Sequence, residues 1–593
     1  MSRRAVKFLF YTSFGISLFL LSIYPVLSEA FIAVSAIFFS CASAILFLIL
    51  MPPVRREVCR KRENCQLEGA EDGDVWLFIS EGALYLPWYN IISKEIGPCR
   101  MINAIPELGQ PRLIILPQGT SLKGIETEIL LRWVEKGVAL FCECPGEDLA
   151  GLTGLRYTGE KYHCHKEEFL GAVLDLSGAS SLVYRPLREK NIAVAKPDFL
   201  FENRIGLGVV FTLSIEYCRW ATDITQGKPH AQGARSLKKL FRQVQGIQTP
   251  DLAGEGREDF IFAPVLDIFD QLLFGYVRDK LKIPSWWYYP GKKSCAFALT
   301  FDEDWFGERA EKFPLPGIPA TWFLTDDSNI DTRSLHAMQE DGKSFQMHWN
   351  RFIIHLNRFG WRFCFRDIKE QVHRISQKIS NKPVACRIHY LRWDAHYDNL
   401  FFVMKEAGIN LDSSFGPGRG QHGYRFATGY PYLVSDKRGR PIGIEEIPFQ
   451  IHQPQGGASV EEVLRLLEEA KRDYHTLLVG LFHPYDCLPG RQSYESYTKL
   501  LELLDDESVW CTDIENLSVY WNKRRERVIT SVFKERELVV RISGLPEKQM
   551  TLRLPDGENI ERIIVNKKEI PVTDKIILDN GEQSLIVKYR NQQ

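Results

Sequence analysis

The stretch Cys295-Ala-Phe-Ala-Leu-Thr-Phe-Asp-Glu-Asp304 decides how this chain is read. Its front half is apolar toward both faces, the pattern of a parallel strand covered on both sides. It then delivers three consecutive acids, Asp302, Glu303 and Asp304. Carboxylates crowded at the end of a buried strand repel one another and lose hydration. Sequences accept that cost mainly where a cation, or a proton in transit, offsets it. Alternation along a strand places Asp302 and Asp304 on one side and Glu303 on the other.

Working outward, polar residues recur where apolar runs stop. A strand at 319–324 is followed by a helix at 334–341. A further strand ends at His348, and another runs into Arg387, His389, Tyr390, Arg392 and Trp393. A last buried strand, 477–482, stops at His483-Pro484. In a β/α barrel, the carboxyl ends of the strands are where sites are built.

Thr300-Phe-Asp302, His348, Arg387 with Tyr390, Asp412-Ser-Ser414 and Leu481-Phe-His483-Pro484 occur in the order of the motifs of the polysaccharide deacetylase (NodB-homology) family. Residues 286–525 resemble that family. The resemblance implies a distorted β/α barrel and metal-dependent hydrolysis of an N- or O-acyl group from a saccharide. It implies a divalent metal, usually zinc, which polarises the carbonyl and acidifies water. By the same resemblance Asp302 is the general base, His483 the general acid and Arg387 the residue that holds Asp302 ionised. His348 is a metal ligand.

The chain departs from the family pattern at two points. The first motif reads Asp302-Glu303-Asp304 where the family has Asp-Asp-Gly, so the metal carboxylate is Glu303 by position or Asp304 by alternation. Asp304 is the reading adopted. The second motif lacks its second His, because Phe352 stands there. His355, seven residues past His348, would lie about 10 Å away along a helix. His389, in place of a Pro, offers the missing nitrogen. The expected metal set is therefore Asp304, His348 and His389. Tyr390, Arg392 and Trp393 are expected to line the substrate. The alternative is a catalytically inactive scaffold or glycan-binding component of a polysaccharide assembly system. A third reading pairs Asp302 with Glu446 as glycosidase carboxylates.

The rest of the chain is read as a multidomain α/β protein. Residues 1–52 carry two apolar runs, 8–26 and 31–51, each long enough to cross a bilayer as a helix. Basic residues flank the pair on both outer sides, which predicts a two-pass hairpin in the cell membrane with a cytoplasmic body; the alternative is one crossing plus an interfacial helix, with the body extracytoplasmic. A basic and polar linker, 53–73, follows. Residues 74–230 alternate strands with helices, and the segments 113–141 and 206–227 resemble the glutamine-amidotransferase-like, flavodoxin-like fold. The nucleophile elbow of active members is missing, which implies a non-catalytic domain. Connecting helices are expected over 231–285, and short strands with Asp-Gly and Asn-Gly turns predict a small β-sandwich over 526–593. The aromatic run Trp286-Trp-Tyr-Tyr289 suits either sugar stacking or core at a domain junction.

Basic and acidic residues number 74 and 75, a net charge of −1, so nothing global points to nucleic acid. The expected partners are a carbohydrate or lipid-linked saccharide and membrane lipid. The 13 cysteines form no regular framework, which argues against a disulfide scaffold.

Overall fold

The structure is a computed structural model. It describes residues 67, 73–80, 83–109, 111–187, 192–195, 199–226, 228–229, 247–248, 263–304, 313, 316–357, 360–379, 381–391, 397–418, 420–436, 438–454, 457–543, 549–578 and 583–590.

The first α/β unit is built on a seven-stranded sheet. Its order is Arg100–Ile102, Val75–Phe78, Leu113–Leu116, Ala139–Glu143, Gly208–Leu213, Leu200–Ile205 and Ile192–Ala195. The first five strands run parallel and the last two pairings are antiparallel. Val-Trp-Leu-Phe and Leu-Ile-Ile-Leu are buried along their whole length, as strands covered on both faces must be. Alternate residues feed two cores. Val75, Leu77, Leu113, Ile115 and Phe141 enter one, while Trp76, Phe78, Ile114, Leu116 and Leu140 enter the other. Helix Gly124–Glu135 covers the second face with Ile129, Leu130, Trp133 and Val134.

Residues 295–512 build a ten-stranded sheet around the acidic strand Cys295–Glu303, all nine residues of which are buried. On one side lie Ala320–Leu324, Lys343–Trp349, Ala385–Ile388, Leu411–Asp412, Pro441–Glu446 and Tyr432–Ser435 in that order. On the other lie Leu477–Phe482 and Ile451–His452, and Val509–Thr512 pairs with the start of the acidic strand. All pairings but the Tyr432–Ser435 edge are parallel. The two end strands do not pair among the described residues, so the sheet is an open half-barrel rather than a closed barrel. The register runs Glu303, Leu324, Met347, Cys386, Asp412 and Glu446. Everything one or two residues beyond that line emerges at a single carboxyl-terminal rim.

One buried lysine ties the two sheets together. Lys94, from helix Leu86–Glu95, places Nζ 2.9 Å from Asp267 and 2.5 Å from Asp270, both on helix Val265–Leu281. Asp267 also accepts from the Thr428 hydroxyl and the Gly429 N–H, each at 2.7 Å, and Asp270 accepts from the Tyr217 hydroxyl at 2.9 Å. Burial opposes the Lys94 charge, but the two aspartates hold its proton above the ordinary range. Burial pushes the Asp270 carboxyl up to about 7.

At the carboxyl end, an antiparallel five-stranded sheet, ordered Ile529–Lys534, Glu537–Ile542, Gln583–Tyr589, Ile560–Val565 and Lys568–Ile570, shares a core with a three-stranded sheet. The three-stranded sheet is Ser285–Trp286, Thr551–Arg553 and Lys575–Ile577, so its edge comes from far upstream. Trp286, Trp287, Tyr288 and Tyr289 are all buried: Trp286 belongs to this core and the other three to the half-barrel core. The aromatic run is junction core, and sugar stacking is set aside for it.

The expected transmembrane hairpin and two-pass membrane location are corrected. Among the described residues, no helix is long and apolar enough to cross a membrane. The apolar runs 8–26 and 31–51 lie outside the described residues, as does most of 231–262. The segment after His348 is also corrected. It continues as a strand hairpin, Phe352–Asn357 with Gly360–Phe365, and not as a helix.

A buried histidine gives the fold a pH signature. His452 points its Nδ1 at the Pro417 carbonyl 3.3 Å away, and burial pushes its pKa down to about 3. In the unfolded chain the ring titrates near 6.5. Below that pH the unfolded state binds the proton first, so this ring lowers stability as pH falls from about 6.5 towards 3. Denaturant titrations of wild type and His452→Phe between pH 7 and 4.5 are expected to differ in slope by about 1 kcal/mol per pH unit on average, wild type being the more acid-sensitive. Parallel slopes would contradict this.

Candidate metal and hydrolytic site

The rim gathers residues from four strand ends. The acidic strand carries Asp302 and, one step past its end, Asp304. Lys343–Trp349 carries His348, register-paired with Arg387 on the next strand. His389 opens the short turn His389–Leu391, where Tyr390 and Leu391 take positive φ values of 58° and 51°. That sharp reversal sets the imidazole over the rim and leaves the Tyr390 ring half-exposed, stacked on His389 at 3.9 Å. His483 follows Leu477–Phe482.

Asp304 is the hub. Its Oδ1 lies 3.3 Å from His348 Nε2 and 3.4 Å from His389 Nε2, and its Oδ2 lies 3.8 Å from His483 Nε2. One ligand atom from each of Asp304, His348 and His389 falls within 4.8 Å of the other two. Burial pulls the Asp304 carboxyl upward, but hydrogen bonding from His348 and His389 overcomes this and holds it far below the usual carboxylate range. Burial favours a neutral His348, but the charges of Asp302 and Asp304 outweigh it and raise its hold on a proton. A field that retains a proton on the buried His348 ring also favours a cation placed beside it.

The surroundings orient these groups. The His348 Nδ1 lies 3.0 Å from the Arg387 carbonyl, which takes its proton and turns Nε2 toward the cluster. Metal-ligating histidines carry such a support on their other nitrogen. Gln371 holds the His348 carbonyl at 2.7 Å. Fully buried Arg387 donates Nη1–H to Asp302 at 2.9 Å and to the Thr300 hydroxyl at 2.7 Å. Its Nε and Nη2 bind the Ser413 carbonyl and hydroxyl at 2.7 and 2.9 Å. Its guanidinium stacks over Phe323 at 4.3 Å.

The structure thus brings together Asp302, Asp304, His348, Arg387, His389 and His483, with Tyr390 at the edge. Arg392 and Trp393 lie outside the described residues. Glu303 is buried and stands apart from the three-residue cluster. Glu446 is fully buried, accepts from the Phe415 N–H at 3.0 Å and is paired with Asp412. That placement sets aside its pairing with Asp302 as glycosidase carboxylates. Sequence reasoning missed Gln453, which binds His483 Nδ1 at 2.5 Å, and Asp486 behind it. A neutral amide between two better-known residue types leaves no motif to find.

No family model and no curated protein matches the chain. Among solved structures, a protein designated a polysaccharide deacetylase from Mycobacterium smegmatis is 16% identical, with a TM-score of 0.28. The alignment covers 42% of this chain and 96% of that one. A second protein designated a polysaccharide deacetylase, from Pseudomonas aeruginosa PAO1, is 14% identical, with a TM-score of 0.28, over 40% of this chain and 93% of that one. Puue allantoinase is 15% identical, with a TM-score of 0.28, over 40% and 92%. Likeness at this level does not assign a family. The amidotransferase resemblance of residues 74–230 finds no support in these comparisons.

Proposed function

We propose that the chain is a metal-dependent hydrolase that removes an N- or O-acyl group from a saccharide, free or lipid-linked. The observation that supports this most directly is the convergence of Asp304, His348 and His389 donor atoms within 4.8 Å, beside the Arg387–Asp302 pair. The donor set fits a divalent cation: one carboxylate and two imidazoles, with His348 supported through its second nitrogen. Two imidazoles and a carboxylate suit zinc, with a position left open. When bound, such an ion would supply Lewis acidity toward the acyl carbonyl and toward water.

The chain's own residues would do the rest. Asp302, held by Arg387, accepts the proton that the attacking water gives up. His483 Nε2, 3.8 Å from Asp304 Oδ2, delivers a proton to the departing amine or alcohol, which otherwise leaves as a poor anion. The exposed Tyr390 ring gives a flat surface for a sugar face. Arg392 and Trp393, next along the chain, are proposed to extend that surface.

Purified protein loaded with zinc is expected to retain close to one ion per chain and to release acetate from an N-acetylated chito-oligosaccharide. Chelation should abolish release, and added zinc should restore it. Protein that binds no ion and releases no acetate would support the inactive scaffold instead.

A further inference from the structure

We infer that Gln453 and Asp486 are positioning residues that set which ring nitrogen of His483 carries the proton. Their role in turnover rests on the reading of His483 as proton donor; the tautomer assignment stands on geometry alone.

The argument starts from what each group can do. A carboxylate only accepts hydrogen bonds. Asp486 Oδ2 lies 2.5 Å from Gln453 Nε2, so the amide must present its NH2 to Asp486. Its carbonyl then faces the other way. There it meets two nitrogens of one residue, the His483 backbone N–H at 3.2 Å and His483 Nδ1 at 2.5 Å. The backbone N–H can only donate, which independently requires Oε1 on that side. An amide oxygen has no proton to give, so Nδ1 must carry one. In the neutral ring this leaves the Nε2 lone pair facing the cluster, where Asp304 Oδ2 is 3.8 Å away.

The backbone of Gln453 is shaped for the task. The residue is fully buried and takes a φ of +36°, a left-handed conformation that is unfavourable for a non-glycine residue. Its N–H is tied to the Leu481 carbonyl at 2.9 Å. Strain held by surrounding structure is a pointer to function. Here the carbonyl of one buried side chain meets both nitrogens of its neighbour while its amide NH2 is held by Asp486. An amide accepts from Nδ1–H equally in the neutral ring and in the imidazolium.

The test uses the full chain labelled with 15N-histidine, the His483 resonances being assigned by their loss in His483→Gln. Long-range proton–nitrogen correlations of the neutral ring are expected to show hydrogen on Nδ1 and a bare Nε2. Q453E, which keeps an acceptor, should preserve that pattern, and Q453L should move the ring toward the Nε2–H form. A wild-type ring protonated on Nε2 would overturn the inference even where Q453L fails to fold. So would a Q453L ring indistinguishable from wild type.

A second readout addresses catalysis. Q453L is expected to lose about 100-fold more activity on an N-acetylated chito-oligosaccharide than on 4-nitrophenyl acetate, whose leaving group departs without a proton. Equal losses on both substrates would overturn the positioning role. A wild-type chain inactive on both would count against the hydrolase reading alone, since the tautomer result decides this one separately.

Discussion

Asp304→Ala is expected to lose its bound cation. In zinc-loaded protein passed through a desalting column, wild type should keep near-stoichiometric metal while Asp304→Ala and His348→Ala keep almost none. Loss of an outer-shell partner alone weakens metal sites about 10- to 100-fold, so removing the shared carboxylate should cost at least about 100-fold in affinity. Glu303→Gln separates the two acids. Glu303 stands outside the cluster, so this variant should retain the ion. Metal that persists in Asp304→Ala and disappears in Glu303→Gln would reverse the assignment. His389→Ala is the sharper variant for this chain, because it asks whether the nitrogen on a turn of positive φ truly serves as the second imidazole.

The second large effect lies away from the rim. Lys94→Met should cost about 3–5 kcal/mol of unfolding free energy, since it strands two fully buried carboxylates. Urea titration at pH 8 would measure it. The loss should shrink when Asp270→Asn is added, because that removes one of the stranded charges. A Lys94→Met chain within about 1 kcal/mol of wild type would show that the Thr428, Gly429 and Tyr217 hydrogen bonds suffice without the cation.

Much of the rim was legible because strand ends announce themselves. The apolar run into Asp302-Glu303-Asp304 marked the central strand, and alternation alone separated Asp304 from Glu303. His389 was reachable because the chain lacks a histidine at Phe352, which left one nitrogen to be found elsewhere. What the sequence concealed was three-dimensional. Whether Trp286 through Tyr289 faced solvent or core depended on a strand pairing between residues almost 270 apart, Ser285 with Arg553. The helix drawn through His355 failed because Phe352–Asn357 finds a partner in Gly360–Phe365. Gln453 carries no charge and no motif, and only its neighbours reveal its role.

The Ser285–Trp286 pairing also governs how this protein can be dissected. The C-terminal module borrows a strand, and the Trp286 ring, from a segment that precedes the acidic strand. A fragment beginning near residue 526 would lack one edge of its smaller sheet and the largest side chain of its core. A fragment ending there would expose that same tryptophan to water. The half-barrel and the C-terminal module are thus joined in folding, and a minimal version must keep both.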